Sequence, residues 1–229
     1  MNMKISYCTT CKGRLWQLQQ TLPENLKLLD DESEIVLLDY QSPDGLRAYI
    51  FENHMEALET GKLKYYQMVD DYAFTSAYAK NVVHRLATGD ILFNLDADNY
   101  IYDGLEYELR KLTDNQIFLP LLGYENEGIL GRVGYTKNVF YELNGYDETI
   151  VGMKGDDGEL RIKAHQLKLF PVTASFRTKA IQNTRLQKDL YVNDGVICNY
   201  NRPSPPVNYP TQFGVAKVID WRGQKVSTQ

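Results

Sequence analysis

The sequence predicts an α/β domain built on a mostly parallel, doubly wound sheet with helices on both faces. Three observations carry this. Short apolar runs alternate with amphipathic stretches across the first 113 residues, in a β-α-β-α order. One of those runs, Glu34–Asp39 (EIVLLD), is continuously apolar inside its ends, as a strand covered on both faces is, and Asp90–Asp96 (DILFNLD) reads as another buried strand. Both end in an aspartate, and open α/β sheets bind ligands at the carboxyl ends of their strands.

The elements follow in order. Lys4–Cys8 reads as a strand and Leu15–Leu29 as a helix. Glu34–Asp39 is the second strand. Leu46–Leu58 has a helical pattern, with Gly61 as its stop. Leu63–Val69 is strand-like. Ser76–Leu86 is a helix closed by Gly89. Asp90–Asp96 is another buried strand, and Leu105–Leu112 a shorter helix. After Asn115 the rhythm changes. Ile117–Leu122 and Ile129–Tyr135 read as short strands of a small antiparallel subregion, and Lys137–Leu143 as a short helix. Asp156–Leu167 is a helix with Leu160, Ala164 and Leu167 on one face. Phe170–Ser175 is a last strand. From Asn199, prolines at 203, 205, 206 and 210 predict an extended tail, wrapped on the body or loose. The expected organisation is one domain over 1–198, with halves 1–115 and 116–198, and a tail over 199–229.

Composition narrows the function. The chain has 229 residues, 43% hydrophobic and 24% charged, with net charge −5. These values exclude disorder, and the acidic balance argues against a nucleic-acid partner, which calls for a basic patch. No run approaches the ~20 apolar residues of a membrane span, and the start lacks the roughly 7–15-residue apolar core of a signal peptide. Association with a membrane surface stays compatible with this. Three cysteines are too few for a disulfide framework, so the expected compartment is the cytoplasm. Tyrosine, at 17, outnumbers the other aromatics; it suits sugar rings and ordinary interfaces alike.

Three acidic clusters carry the chemistry. Asp96 and Asp98 lie two residues apart behind a buried strand, so both carboxylates can face one side. Hard oxygen ligands there suit Mg²⁺ or Mn²⁺, which bridge phosphates; Asp and Asn also end strands as turn residues. Asp39, with Ser42-Pro43-Asp44-Gly45 behind it, can accept from a base N–H or a ribose hydroxyl, or belong to a turn and helix cap. Asp156 and Asp157 open a helix behind a glycine-rich loop. They read as a general base, or as acids complementing the helix dipole.

Together these segments resemble nucleotide-sugar glycosyltransferases of the GT-A fold, closest to the family-2 group. Asp39, Ser42, Asp44 and Gly45 match a D-D-G-S-x-D-G-type segment, from which Tyr40 and Gln41 depart. Ala79-Lys80-Asn81 resembles A-R-N, with Lys for Arg. Gly89–Asp98 resembles G-x-x-x-x-x-L-D-A-D, and Asn144–Glu148 resembles G-G-[FY]-D-E. Gly152–Leu160 resembles the G-W-G-x-E-D-x-x-L block of galactosyltransferase-like members, with Met153, Lys154 and Asp156 as departures. The similarity spans roughly Lys4 to Arg185. It implies a nucleotide-sugar donor, a UDP-sugar of galactose type, and a glycan acceptor. It implies that Asp39 binds the base, that Thr9 and Arg14 lie near the nucleotide, and that Lys80 faces the donor. Asp96 and Asp98 would hold the cation and donor. Asp157 would be the base and Asp156 its acceptor-binding neighbour. Many relatives complete the metal site with a late His; Ala180–Arg185 has none, and Asn183 takes that place.

Two other readings compete. A sugar-phosphate nucleotidyltransferase carries a glycine-rich basic signature, at which only Lys12-Gly13-Arg14 hints. A degenerate module could bind carbohydrate or scaffold a partner without catalysis. Cys8-x-x-Cys11 lacks a second metal-ligand pair and reads as ordinary thiols. His54, His84 and His165 read as structural or exposed, Trp16 as core, Trp221 as the tail's anchor. Tyr100, Tyr102, Tyr124, Tyr135 and Tyr146 read as packing first and ring stacking second. Arg177, Lys179 and Arg185 form a basic cluster suited to pyrophosphate or solvent.

Overall fold

Residues alternate sides along an extended chain, and in β2 (Ser33–Asp39) both sides are apolar. Val36 and Leu38 enter one core layer, Ile35 and Leu37 a second. That two-sided burial is why the run reads as continuously apolar. The computed structural model of the protein describes residues 3–120, 128–153, 155–173, 179–187, 198–199 and 201–228. Expectations for Tyr124, Lys154 and Arg177, and for the ends of the strands expected over 117–122 and 170–175, lie outside these residues.

β1 (Ile5–Cys11), β2, β3 (Leu63–Met68) and β4 (Ile91–Asn94) are parallel, in the spatial order β3-β2-β1-β4. β6 (Gly134–Thr136) runs antiparallel beside β4, followed by β5 (Gln116–Phe118) and β7 (Phe170–Val172). One core layer holds α4 (Ser76–Leu86), α6 (Lys137–Glu142) and α7 (Asp156–Gln166). The other holds α1 (Leu15–Lys27), α2 (Leu46–Asn53), α3 (Met55–Thr60) and α5 (Leu105–Leu109). The chain leaves β1 for β2 on one side and comes back to β4 on the other. The crevice above β1 and β4 is therefore the topological switch point, where such sheets bind ligands.

Several elements differ from the sequence expectation. The helix expected over Leu46–Leu58 breaks at His54, which caps both α2 and α3 and meets the Tyr49 hydroxyl at 3.1 Å. Ala87, not Gly89, caps α4. Gly89 instead lies against β1, where a Cβ would come within 2.8 Å of Ser6 and Lys4 atoms. The strand expected over Ile129–Tyr135 is reduced to Gly134–Thr136. Trp16 is half-buried rather than core, because α1 turns Leu18 and Leu22 inward. Leu167 lies beyond α7 and is exposed. The tail is more than an extended strap. Residues 201–210 are irregular, but β8 (Lys217–Asp220) pairs antiparallel with β3, and β9 (Lys225–Ser227) pairs with β8. Among the described residues no helix is long and apolar enough to cross a membrane. Cys8, Cys11 and Cys198 are all buried.

Candidate active site

The carboxyl edge of β1 and β4 opens into a cleft of about 310 Å³. β4 stops at Asn94, whose side-chain amide donates to the Gly131 carbonyl and to Asp96. Release from the ladder lets Asp96 and Asp98 both line the cleft. Gly131 leaves room for them: a Cβ there would overlap the Asp96 carboxylate. The Asp98 Oδ2 accepts from Arg14 at 3.3 Å and from Asn183 at 3.1 Å. Its other oxygen accepts from Asn99, which in turn accepts from the buried Arg132. Burial, then the neighbouring Asp96 charge, pushes the Asp98 carboxyl above its usual range.

The opposite wall comes from α4 and α7. Gly155 takes a left-handed conformation, φ 91°, and opens α7 at Asp156. The preceding loop is docked on α4: the Gly152 carbonyl accepts from the Ser76 amide at 2.8 Å and from its hydroxyl at 3.1 Å. One turn along, the Lys80 ammonium donates to Asp156 at 2.7 Å and to Asp157 at 2.6 Å. Burial opposes the charge on Lys80, but Asp156, Asp157 and Asp96 outweigh it and hold the ammonium well above the usual lysine range. Burial likewise raises Asp156, yet Lys80 brings it below the usual carboxylate range. Burial dominates at Asp157, whose carboxyl is pushed up to about 6 against the pull of Lys80. The two adjacent aspartates thus separate into a firm anion and a group that titrates near neutrality.

The structure brings Arg14, Lys80, Asp96, Asp98, Asp156, Asp157 and Asn183 to this one cleft. It does not bring Thr9 and Asp39 there. The Thr9 hydroxyl donates to the Leu95 carbonyl at 2.8 Å, and its neighbour Thr10 lines the cleft instead. Asp39 stands at the end of β2 but is fully buried. It accepts from the Tyr65 hydroxyl at 2.5 Å, Gln67 at 3.2 Å and the Ser42 amide at 2.6 Å. Lys12, Phe74, Ser76, Leu130 and Met153 also line the cleft and were not singled out from sequence as site residues. Lys12 had a signal, since it sits between Thr9 and Arg14. Leu130 had none, because its loop matches no motif.

Other residues resolve to scaffolding. Asn81 donates to the Tyr146 carbonyl and to Glu148, both at 2.8 Å, and accepts from the Tyr146 amide at 2.7 Å. Tyr135 and Tyr146 are core residues packed around His84, and His84 is buried with its pKa lowered by burial to about 3. Lys179 lies over the Tyr100 ring at 4.5 Å, outside the cleft, and Arg185 is exposed.

The donor set fits a hard divalent cation held in part by a ligand. No group of three His, Cys, Asp or Glu side chains able to hold a metal occurs among the described residues. Asp96 and Asp98 supply two carboxylates, Asn183 an amide beside them. Mg²⁺ and Mn²⁺ sites commonly complete such a set with phosphate oxygens and water.

Neither a family model nor a curated protein sequence matches the chain. Solved structures do. The mannosyltransferase PcManGT from Pyrobaculum calidifontis, in complex with GDP-Man and Mn²⁺, aligns with a TM-score of 0.62 at 18% identity, over 76% of this chain and 55% of its own. TarS 1-349 from S. aureus, in complex with UDP-GlcNAc, aligns at 0.60 and 16% identity, over 83% of this chain and 62% of its own. The catalytic domain of Drosophila β1,4-galactosyltransferase 7, in complex with xylobiose, aligns at 0.60 and 15% identity, over 95% of this chain and 86% of its own. The chain thus spans less than two thirds of the first two. The likeness at this identity is one of architecture, and it places the chain in the GT-A fold of these glycosyltransferases.

Proposed function

We propose that the chain is an inverting glycosyltransferase. It moves a sugar from a nucleotide diphosphate donor, a UDP-sugar of galactose type, to a hydroxyl of a glycan acceptor. One observation carries this reading: the two aspartates behind β4 and the two at the start of α7 face a single cleft at the switch point, with Lys80 bound to the second pair. The galactose preference rests on the Gly152–Leu160 block.

Asp96 and Asp98, with Asn183, would hold Mn²⁺ or Mg²⁺ and the donor diphosphate. When bound, that cation supplies electrostatic stabilisation of the leaving group. Arg14, already on Asp98, adds a guanidinium suited to phosphate oxygens. Asp157 accepts the acceptor hydroxyl's proton as the new bond to the anomeric carbon forms. The old bond breaks on the opposite face, and its electron pair leaves on the diphosphate oxygen. Lys80 keeps one Asp157 oxygen fixed, leaving the other for the acceptor. Asp156, its pKa held low by Lys80, stays anionic and orients that lysine.

Asp157→Asn tests the assignment. Turnover with UDP-sugars should fall by about 10²–10⁴ while UDP binding is retained. Full activity in that variant overturns the base. EDTA should abolish transfer, and chelator-insensitive transfer overturns the metal.

A further inference from the structure

Asp98 is gripped by two chains of side chains, and each begins at an arginine. In the first, Arg14 Nη1 donates to Gln17 Oε1 at 3.3 Å, and Gln17 Nε2 donates to Asn183 Oδ1 at 2.9 Å. Asn183 Nδ2 then donates to Asp98 Oδ2 at 3.1 Å, and Arg14 closes a ring by donating to the same oxygen at 3.3 Å. In the second, the buried Arg132 donates through Nε to Asn99 Oδ1, and Asn99 Nδ2 donates to Asp98 Oδ1. Gln17, on α1, and Asn99 are both fully buried.

The ends of the ring fix the two amides between them. A guanidinium only donates, and a carboxylate only accepts. Gln17 must therefore turn its oxygen to Arg14, which leaves its N–H for Asn183. Asn183 must then give its oxygen to Gln17 and its N–H to Asp98. Either amide turned over alone sets N–H against N–H at one end and oxygen against oxygen at the other. A hard cation takes an asparagine by its carbonyl oxygen. In the ring that oxygen belongs to Gln17, and the face shown to Asp98 is the donor face.

We infer that Gln17 is a positioning residue of the cation site. It holds the Asn183 oxygen away from the cation, so Asn183 serves the site by orienting Asp98 and is not itself a ligand. The inference rests on the glycosyltransferase reading above and defines the part that Asn183 plays in it.

Mn²⁺ titrations of the full chain test this, followed by the paramagnetic resonance of the free ion, with and without UDP. Gln17→Glu keeps an acceptor for Arg14 and removes the donor to Asn183. Asn183 then turns over, giving its N–H to the new carboxylate and its oxygen to the cation. Mn²⁺ should bind roughly tenfold tighter, the scale on which groups behind the ligands shift metal affinity. Because the substitution also adds charge, it is repeated in an Asn183→Ala background, where the gain should vanish. An equal gain in both backgrounds assigns it to charge and overturns the inference. Unchanged or weaker Mn²⁺ binding in Gln17→Glu overturns it too. Gln17→Met, close in volume and uncharged, frees the Asn183 oxygen without that charge. It should tighten Mn²⁺ less, and again only where Asn183 is present; a loss in both backgrounds makes Gln17 merely structural and overturns the inference. Melting curves show which variants are folded, and the methionine variant decides if the glutamate one is not. A parent chain that binds UDP but no Mn²⁺ overturns the metal assignment, and one that binds neither overturns the transferase reading, which separates those failures from this one.

Discussion

Lys80 is the side chain on which the acidic half of the cleft depends. Its ammonium is buried, with Asp156 and Asp157 both within 2.7 Å. Removing one partner of a buried charge cluster leaves the others uncompensated, typically at about 3–5 kcal/mol. Lys80→Met should lower the melting temperature for that reason. It should also move catalysis in pH. A base works ionised, so the rate falls as pH drops through the Asp157 value of about 6. Lys80 pulls that value down; without it the carboxyl rises, and the acidic limb of the rate profile shifts to higher pH. Lys80→Arg keeps the charge and should keep the limb near its original place. A limb that stays put in the methionine variant refutes this role. Lys80, expected from the sequence to face the donor, lines the cleft with its bonds directed to the aspartates. Asp39 is the complementary case, buried at the end of its strand. Its place at the end of β2 was legible from EIVLLD; the Tyr65 and Gln67 side chains that seal it come from β3, with nothing in their spacing to announce the contact.

Between elements, the motif segments turn out to be joints as much as sites. Asn81 on α4 holds the backbone of Tyr146 and the carboxylate of Glu148, and Glu148 accepts from the Gly214 amide at 2.6 Å. Gly145 makes this approach feasible. It has φ 60°, and a Cβ there would stand 2.7 Å from the Phe213 ring and overlap the Asn81 carboxamide. Gly145→Ala should therefore cost about 1–3 kcal/mol through strain and the displaced Asn81, seen as a lower denaturation midpoint with little change in the denaturant slope. An unchanged midpoint would mean that the joint has slack. The parallel strands and α1, α4 and α7 were readable because each has a local pattern: a two-sided apolar run, or apolar residues at helical spacing. What escaped was nonlocal. Gly89 looked like a helix stop and is a contact with β1. The helix expected through Leu58 breaks where His54 finds Tyr49.

For the molecule as a whole, the C-terminal residues close the fold around the helix that carries Lys80. Arg85 on α4 donates to the Thr228 carbonyl at 2.8 Å and to that of Phe213 at 3.1 Å. The Tyr78 hydroxyl donates to the Val215 carbonyl at 2.9 Å. Phe213 packs edge-on to Phe140 at 5.4 Å, and Val218 is buried in the same layer as α4. Prolines and polar residues hid this from the sequence, because an edge hairpin is recognised by the strand it meets rather than by its own composition. The consequence is that α4 is clasped from both ends of the chain, by β1 and β2 beneath it and by residues 213–228 beside it. Phe213→Ala should then cost about 3–5 kcal/mol, and lower the melting temperature by roughly 10 °C at this chain length. Ending the chain after Pro210 removes the hairpin as well. It should lower melting further and weaken UDP binding, since Lys80 and Ser76 lose the support of their helix. If the shortened chain melts like the parent, α4 is held by the sheet alone, and the clasp has no energetic role.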